Sequence, residues 1–194
     1  AMIAFGLSSY LWLCALFLFI SGCCDSVSVV IRGSIMQLTT PDQDGWCAPG
    51  LSCDFLPLVW TRARYRVAHL NPRMPRLPSS FRVHISEIDA WETSDEVLLD
   101  FKEPTPGDIE YAVGRSAAEL VRDGDTLQFG IGAVPLGLAN QLTHHRGLRI
   151  HGGLVSSALK ILGDSGALDS NARITTGVVL GDHELRAYVQ SLSN

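Results

Sequence analysis

The sequence predicts an α/β fold built on parallel βαβ crossovers. From Ser34 onward, short apolar runs alternate with longer segments of helical periodicity. The connections between them carry Pro, Gly and Asp, the residues that set or permit special backbone angles. The third observation is Leu127–Pro135, LQFGIGAVP, where an apolar strand runs into a glycine turn that opens a helix.

Taken in order, Ile35–Leu38 is predicted as a buried strand, and Pro41-Asp42-Gln43-Asp44-Gly45 as a turn. Phe55–Ala63 can form a helix with Pro57 in its first turn. Tyr65–Leu70 reads as a strand stopped by Asn71-Pro72, and Arg82–Ile88 as another, alternating Val83, Ile85 and Glu87 against His84, Ser86 and Ile88. A boundary falls near Glu103–Gly107, where prolines and a glycine follow the acidic stretch Glu92–Asp100.

Beyond the boundary, Thr105, Pro106 and Asp108 start a helix that ends before Gly124, with Ile109, Ala112, Val113, Ser116 and Leu120 on one face. Strand Thr126–Phe129, helix Pro135–Thr143, strand Leu148–His151, helix Leu154–Leu162, strand Arg173–Leu180 and helix His183–Leu192 come next. Alternation at these lengths implies parallel pairing.

Composition bounds the rest. The chain has 194 residues, is 46% hydrophobic and 18% charged, and carries a formal charge of −5, a globular balance. Its positive residues are thirteen Arg with Lys102 and Lys160, and no basic run marks a nucleic-acid footprint. Five cysteines, Cys14, Cys23, Cys24, Cys47 and Cys53, show no repeated CxxC spacing, so reduced thiols are expected rather than a disulfide framework or structural zinc. Residues 1–24 hold no charged side chain, and Tyr10–Ile20 is apolar enough to partition into a membrane. Ile20-Ser21-Gly22-Cys23 is similar to a lipoprotein cleavage box, although no Lys or Arg precedes the apolar core. A signal or anchor, a buried element and residues foreign to the domain are the competing readings.

Several motifs fail on their spacing. A dinucleotide fingerprint needs a third glycine where Pro135 stands, and a P-loop needs Gly-Lys-Ser/Thr, which is absent. His183-Glu184 lacks a second His at position 187, and His144, His145 and His151 have no i, i+4 partner, so no metal is expected. Cys47 and Cys53 read as small thiols, and Ser156-Ser157 lacks the glycines of a nucleophile elbow. Arg62, Arg64, Arg66, Arg73 and Arg76 read as a solvated basic face rather than a phosphate site.

Five stretches together, Ser34–Phe55 (SIMQLTTPDQDGWCAPGLSCDF), Val67–Arg76 (VAHLNPRMPR), Val83–Asp89 (VHISEID), Leu127–Pro135 (LQFGIGAVP) and Ile174–Gly181 (ITTGVVLG), resemble the acetyl-CoA hydrolase/transferase family. That family includes acetate and 4-hydroxybutyrate CoA-transferases. The resemblance covers about 160 residues. It implies parallel-sheet βαβ units of the CoA-transferase type and parts of two similar domains. Residues 34–104 would be the remainder of the first domain plus linker, 105–194 the beginning of the second, and 1–33 an apolar segment that does not match.

On that resemblance, coenzyme A enters as substrate, the partners are a short-chain acyl-CoA of the acetyl or 4-hydroxybutyryl type and a short carboxylic acid, and a homo-oligomer is open. Gly130, Ile131, Gly132, Ala133 and Val134 would line the CoA site, their N–H groups facing charge on the thioester oxygen. The family's nucleophilic glutamate comes after the turn in a stretch resembling HTEMISDG. This chain reads His151-Gly152-Gly153-Leu154-Val155-Ser156-Ser157-Ala158 in that register, which puts Gly153 at the nucleophile position. No catalytic residue is thereby assigned. An acetyl-CoA hydrolase or acetate CoA-transferase activity is the leading expectation, and a catalytically silent CoA-binding or interaction protein the alternative. The resemblance further implies a chain shortened or displaced in frame relative to the family, cytoplasmic rather than membrane-associated through residues 2–22.

Overall fold

The computed structural model describes residues 35–77 and 81–192. The apolar segment, its lipoprotein-like box and Cys14, Cys23 and Cys24 lie outside those residues. The fold is α/β with parallel strand pairing, as the alternation implies.

Strands β1 (Ile35–Leu38), β3 (Val67–Leu70) and β5 (Ala90–Thr93) form a parallel sheet with β3 in the centre. β3 sends Ala68 and Leu70 to one face, where they join Met36, Leu38, Cys47, Trp60, Val83 and Ile88 in a buried cluster. Helix α1 (Leu56–Trp60) contributes Trp60 to it, and β2 (Trp46–Cys47) pairs antiparallel with β4 (Val83–His84) across it. The Pro41–Gly45 turn forms as expected: Asp42 Oδ1 accepts from the amides of Asp44 (3.1 Å) and Trp46 (2.9 Å), and Gly45 takes φ +84°.

Two expectations in this region are corrected. The single strand over Arg82–Ile88 is two residues of β4 leading into a 3-10 turn, Ile85–Glu87. Local side chains divert the backbone there, because His84 Nδ1 accepts from Ser86 N and Glu87 Oε1 accepts from His84 N. The acidic stretch contains β5 at its start, a strand too polar to be seen by periodicity.

Helix α2 (Asp108–Ala118) then packs on α3 (Ala133–Gln141). The expected apolar face is not the one that packs: Ile109 is 75% exposed, Val113 47% and Leu120 82%. Gly114 is the buried residue of α2. A Cβ on Gly114 would lie 2.6 Å from the Gly137 carbonyl carbon, and one on Gly137 2.6 Å from Glu110 O. Two glycines allow backbone-to-backbone approach, and that contact, not the apolar stripe, fixes the helix's rotation.

Strands β6 (Thr126–Leu127) and β7 (Arg149–Ile150) pair in parallel, as do β8 (Leu154–Val155) and β9 (Val178–Val179). The single parallel bridge His151 to Thr175 keeps the register of β8 and β9, and Leu148 makes a separate parallel bridge to Leu168. The helix expected over Leu154–Leu162 is therefore strand β8 and then α4 (Ser157–Asp164), because Leu154 and Val155 are taken by β9 before the turn at Ser156. The strand expected over Arg173–Leu180 keeps only Val178–Val179 as regular ladder. Helix α5 (His183–Ser191) matches its expectation to one residue.

A second buried cluster, from Phe129 to Val189, lies under α3, α4 and α5. The two clusters are stitched together by the loop after β2. Its Cys53 and Asp54 amides donate to Gly177 O, and Val179 N donates to Leu51 O at 2.7 Å. Among the described residues no helix is long and apolar enough to cross a membrane.

Candidate active site

The glycine turn leaves β6 and starts α3 at Gly132, which takes φ +114° and ψ −175°. That combination is open essentially to glycine alone. A Cβ there would meet nothing within 4 Å, so the glycine is required by backbone angle rather than by space. The helix begins at Ala133, two residues before the expected Pro135 start. Pro135 falls within the first turn, whose amides have no intrahelical partner, so its missing N–H costs nothing. Gly130 is exposed, Ile131 and Val134 are respectively 46% and 44% exposed, and Gly132 and Ala133 are half-buried.

The amide of Gly132 is not bare. It donates to Glu103 Oε1 at 3.0 Å, while the other carboxylate oxygen, Oε2, accepts from Ser157 N at 2.9 Å. One side chain from the 103–107 boundary thus reaches the N-termini of α3 and α4, where backbone N–H groups and helix dipoles both favour negative charge. Sequence reasoning missed Glu103, since its partners stand 29 and 54 positions further along. Glu-Pro before a helix start was its only local mark.

The segment carrying Glu103 is itself held down. Phe101 N donates to Gly181 O at 3.1 Å, and Arg186 reaches Asp100 Oδ1 at 2.6 Å and Leu99 O at 3.2 Å. The Asp100 carboxyl sits below its ordinary range, chiefly through the Arg186 hydrogen bond, against some desolvation.

Gly153 lies on the turn into β8, and its carbonyl accepts from Gly177 N (3.1 Å) and Val178 N (3.0 Å). A Cβ on Gly153 would meet nothing within 4 Å.

Other candidates take ordinary roles. Cys47 is buried, and desolvation raises its thiol above the usual range, which disfavours the thiolate a nucleophile needs. Arg73 forks onto Asp95 at 2.8 and 2.9 Å, and Arg76 donates to Thr40 O and Trp46 O. Arg66 stacks over Trp60, 4.8 Å from the ring centre. Among the described residues no three His, Cys, Asp or Glu side chains are grouped so as to hold a metal ion. A groove of about 610 Å³ runs between the first sheet and residues 96–99, lined by Met36, Cys53, Phe55, His69, Asn71 and Leu99 among others. No residue of the glycine turn borders it.

Comparison with known proteins identifies the chain's relatives. No family model matches it. It is 30% identical over 164 residues to 4-hydroxybutyrate coenzyme A transferase of Clostridium kluyveri, covering 81% of this chain and 38% of that protein. It is 33% identical over 134 residues to succinyl-CoA:cyclohexane-1-carboxylate CoA transferase of Geobacter metallireducens, covering 69% and 31%. Among solved structures, 4-hydroxybutyrate CoA-transferase from Porphyromonas gingivalis superposes with a TM-score of 0.73 at 30% identity, over 80% of this chain and 41% of that one. The chain spans 28–38% of the length of the curated relatives it matches. The parallel architecture, the glycine turn at the head of α3 and these relatives agree, and over the part it shares with them the chain is similar to CoA-transferases in sequence and in fold.

Proposed function

We propose that this chain handles a short-chain acyl-CoA, of the acetyl or 4-hydroxybutyryl type, together with a short carboxylic acid. Gly130, Ile131, Gly132, Ala133 and Val134 line the coenzyme A site in this reading, with residues 34–104 and 105–194 belonging to two similar domains. The observation that carries it is the Gly132 amide, aimed at a carboxylate oxygen 3.0 Å away from the first turn of α3. A donor that holds a carboxylate oxygen can equally hold the oxygen of a thioester as negative charge develops on it.

The chemistry of attack differs between two routes. In the transferase route a glutamate carboxylate attacks the thioester carbon, the carbon–sulfur bond breaks, and the CoA thiolate leaves an acyl anhydride behind. Thiolate return then gives a glutamyl-CoA thioester and frees the acid. Gly153 offers no carboxylate for this, so a hydrolase route has water form the new carbon–oxygen bond while CoA leaves as the thiol. Gly153 also favours a second reading, a CoA-binding protein without turnover.

The test compares the 194-residue chain with Gly153→Glu, a substitution whose Cβ enters open space. Both proteins should bind acetyl-CoA by calorimetry, and borohydride should reduce a glutamyl-CoA thioester to the side-chain alcohol with release of CoA thiol, seen by intact mass as one oxygen lost and two hydrogens gained, in the variant alone. Absence of acetyl-CoA binding by either protein overturns the proposal. Binding by both, with no loss of thioester in the parent, selects the silent reading.

A further inference from the structure

His69 and Ser94 meet where two neighbouring parallel strands end. His69 is the third residue of β3, Ser94 directly follows β5, and the ring Nε2 lies 2.6 Å from the Ser94 hydroxyl oxygen. The carboxyl ends of parallel strands are where α/β sheets place ligands.

Two features set this pair apart from a plain strand-end tether. Residues 94–96 are fixed one by one: Ser94 N donates to Leu70 O at 3.1 Å, the Arg73 guanidinium forks onto Asp95 at 2.8 and 2.9 Å, and Asn71 Nδ2 donates to Glu96 O at 2.8 Å. A hydroxyl carried on so constrained a segment is held in place against the ring. The second feature is the groove of about 610 Å³, bordered by His69 itself and by Glu96 and Val97, two and three residues past Ser94. Much of its wall is apolar, with Met36, Leu51, Phe55, Val59 and Leu99. A cleft of that size with an apolar wall and a few polar groups suits a small organic ligand.

We propose that Ser94 and His69 are a nucleophile and its general base, and that their substrate is a small carboxylic oxyester whose apolar acyl chain lies in this groove. As Nε2 of the neutral imidazole takes the hydroxyl proton, Ser94 Oγ bonds to the ester carbonyl carbon. The bond from that carbon to the alcohol oxygen breaks, and the alcohol leaves with the proton that His69 returns. Water then gives a proton to His69 and its oxygen to the acyl carbon, the carbon–Oγ bond breaks, and the acid departs as Ser94 regains its hydrogen. Ester and water become acid and alcohol. The Asp95 amide comes directly after the nucleophile and donates to no protein acceptor among the described residues, so it is available to the carbonyl oxygen as charge develops there.

No residue of the glycine turn borders the groove, so this inference stands apart from the acyl-CoA reading. Its test contains no CoA. The 194-residue chain is treated with an alkyl fluorophosphonate, and the product is read by intact mass and peptide mapping. One phosphonyl group should appear on Ser94, with loss of fluoride. Ser94→Ala should abolish the labelling, and His69→Gln, which can still accept the Ser94 hydroxyl but is no base, should slow it by about a hundredfold. In a parallel assay p-nitrophenyl hexanoate should be hydrolysed severalfold faster than p-nitrophenyl acetate, because only the longer chain reaches the apolar wall.

No labelling of the folded parent, labelling at another residue, or an unchanged rate in folded His69→Gln overturns the pair. Equal rates for the two esters overturn the groove as the acyl site. Should a variant fail to fold, labelling of the parent in urea above its unfolding midpoint takes its place: loss of the Ser94 label there supports the pair, and equal labelling of the unfolded chain overturns it. Acetyl-CoA binding, present or absent, bears only on the earlier reading.

Discussion

Helices α3 and α5 begin in opposite ways. The N-cap of α5 is Asp182, whose own carboxylate accepts from Leu185 N at 3.0 Å, three residues on. The N-cap of α3 is Gly132, with no side chain at all, and α4 starts at a serine that does not cap. Both rely on Glu103, far back in the chain. A helix that caps itself needs nothing from the fold, whereas one that leaves its first amides unpaired offers them to whatever anion the fold or solvent delivers. The unfinished helix starts are the one that the glycine turn opens and the one beside it.

The largest effect should come from moving α3 bodily. Gly137→Ala places a Cβ 2.6 Å from Glu110 O, in a contact made of backbone on both sides. Propensity alone would make this change favourable by roughly 1 kcal/mol, yet overpacking should make it unfavourable by about 3 kcal/mol in denaturant unfolding. A stabilised variant would mean that α2 and α3 do not cross this closely, and that the Gly132 amide is placed by something else.

A matched pair of cap deletions sharpens the contrast. Glu103→Ala removes two charge-assisted bonds from a part-buried position and should cost about 2 kcal/mol, with exchange rising together at Gly132 and Ser157. Independent responses at those two amides would show that they do not share one carboxylate. Asp182→Ala should cost about 1 kcal/mol and speed hydrogen exchange at the start of α5 alone.

The smallest effect concerns the segment carrying Glu103 under acid. Asp100 has its folded pKa depressed, so it contributes stability above its unfolded value of about 3.9, and that contribution is lost as pH falls through the lower, folded value. Asp100 is exposed, which keeps the effect small. Below about pH 4 the Phe101 amide should exchange faster in the parent, and Asp100→Asn should exchange at the faster rate at neutral pH already. Identical profiles for the two proteins would detach that segment from the Arg186–Asp100 pair.

Much of the architecture was legible because it is written within a few residues. The Pro41–Gly45 turn, β1, β3 and α5 all depend on neighbours within about one helical turn, and each appears where its pattern puts it. Failures share one cause. The rotation of α2 was decided by Gly114 against Gly137, and the fate of Leu154–Val155 by pairing with Val178–Val179, far along the chain. Hydrophobic patterning is blind to both, because a glycine contact has no hydropathy and an apolar dipeptide suits strand or helix equally.

By itself, then, the sequence determined where the backbone must turn. Gly132 adopts an angle pair closed to residues with a Cβ, and that restriction is local, independent of anything packed around it. Only the tertiary structure decided what the exposed amides would hold. Closing the loop that brings Glu103 to Gly132 and Ser157 depends on the boundary segment lying across α5 and on two helices starting side by side, a geometry no window of the chain contains.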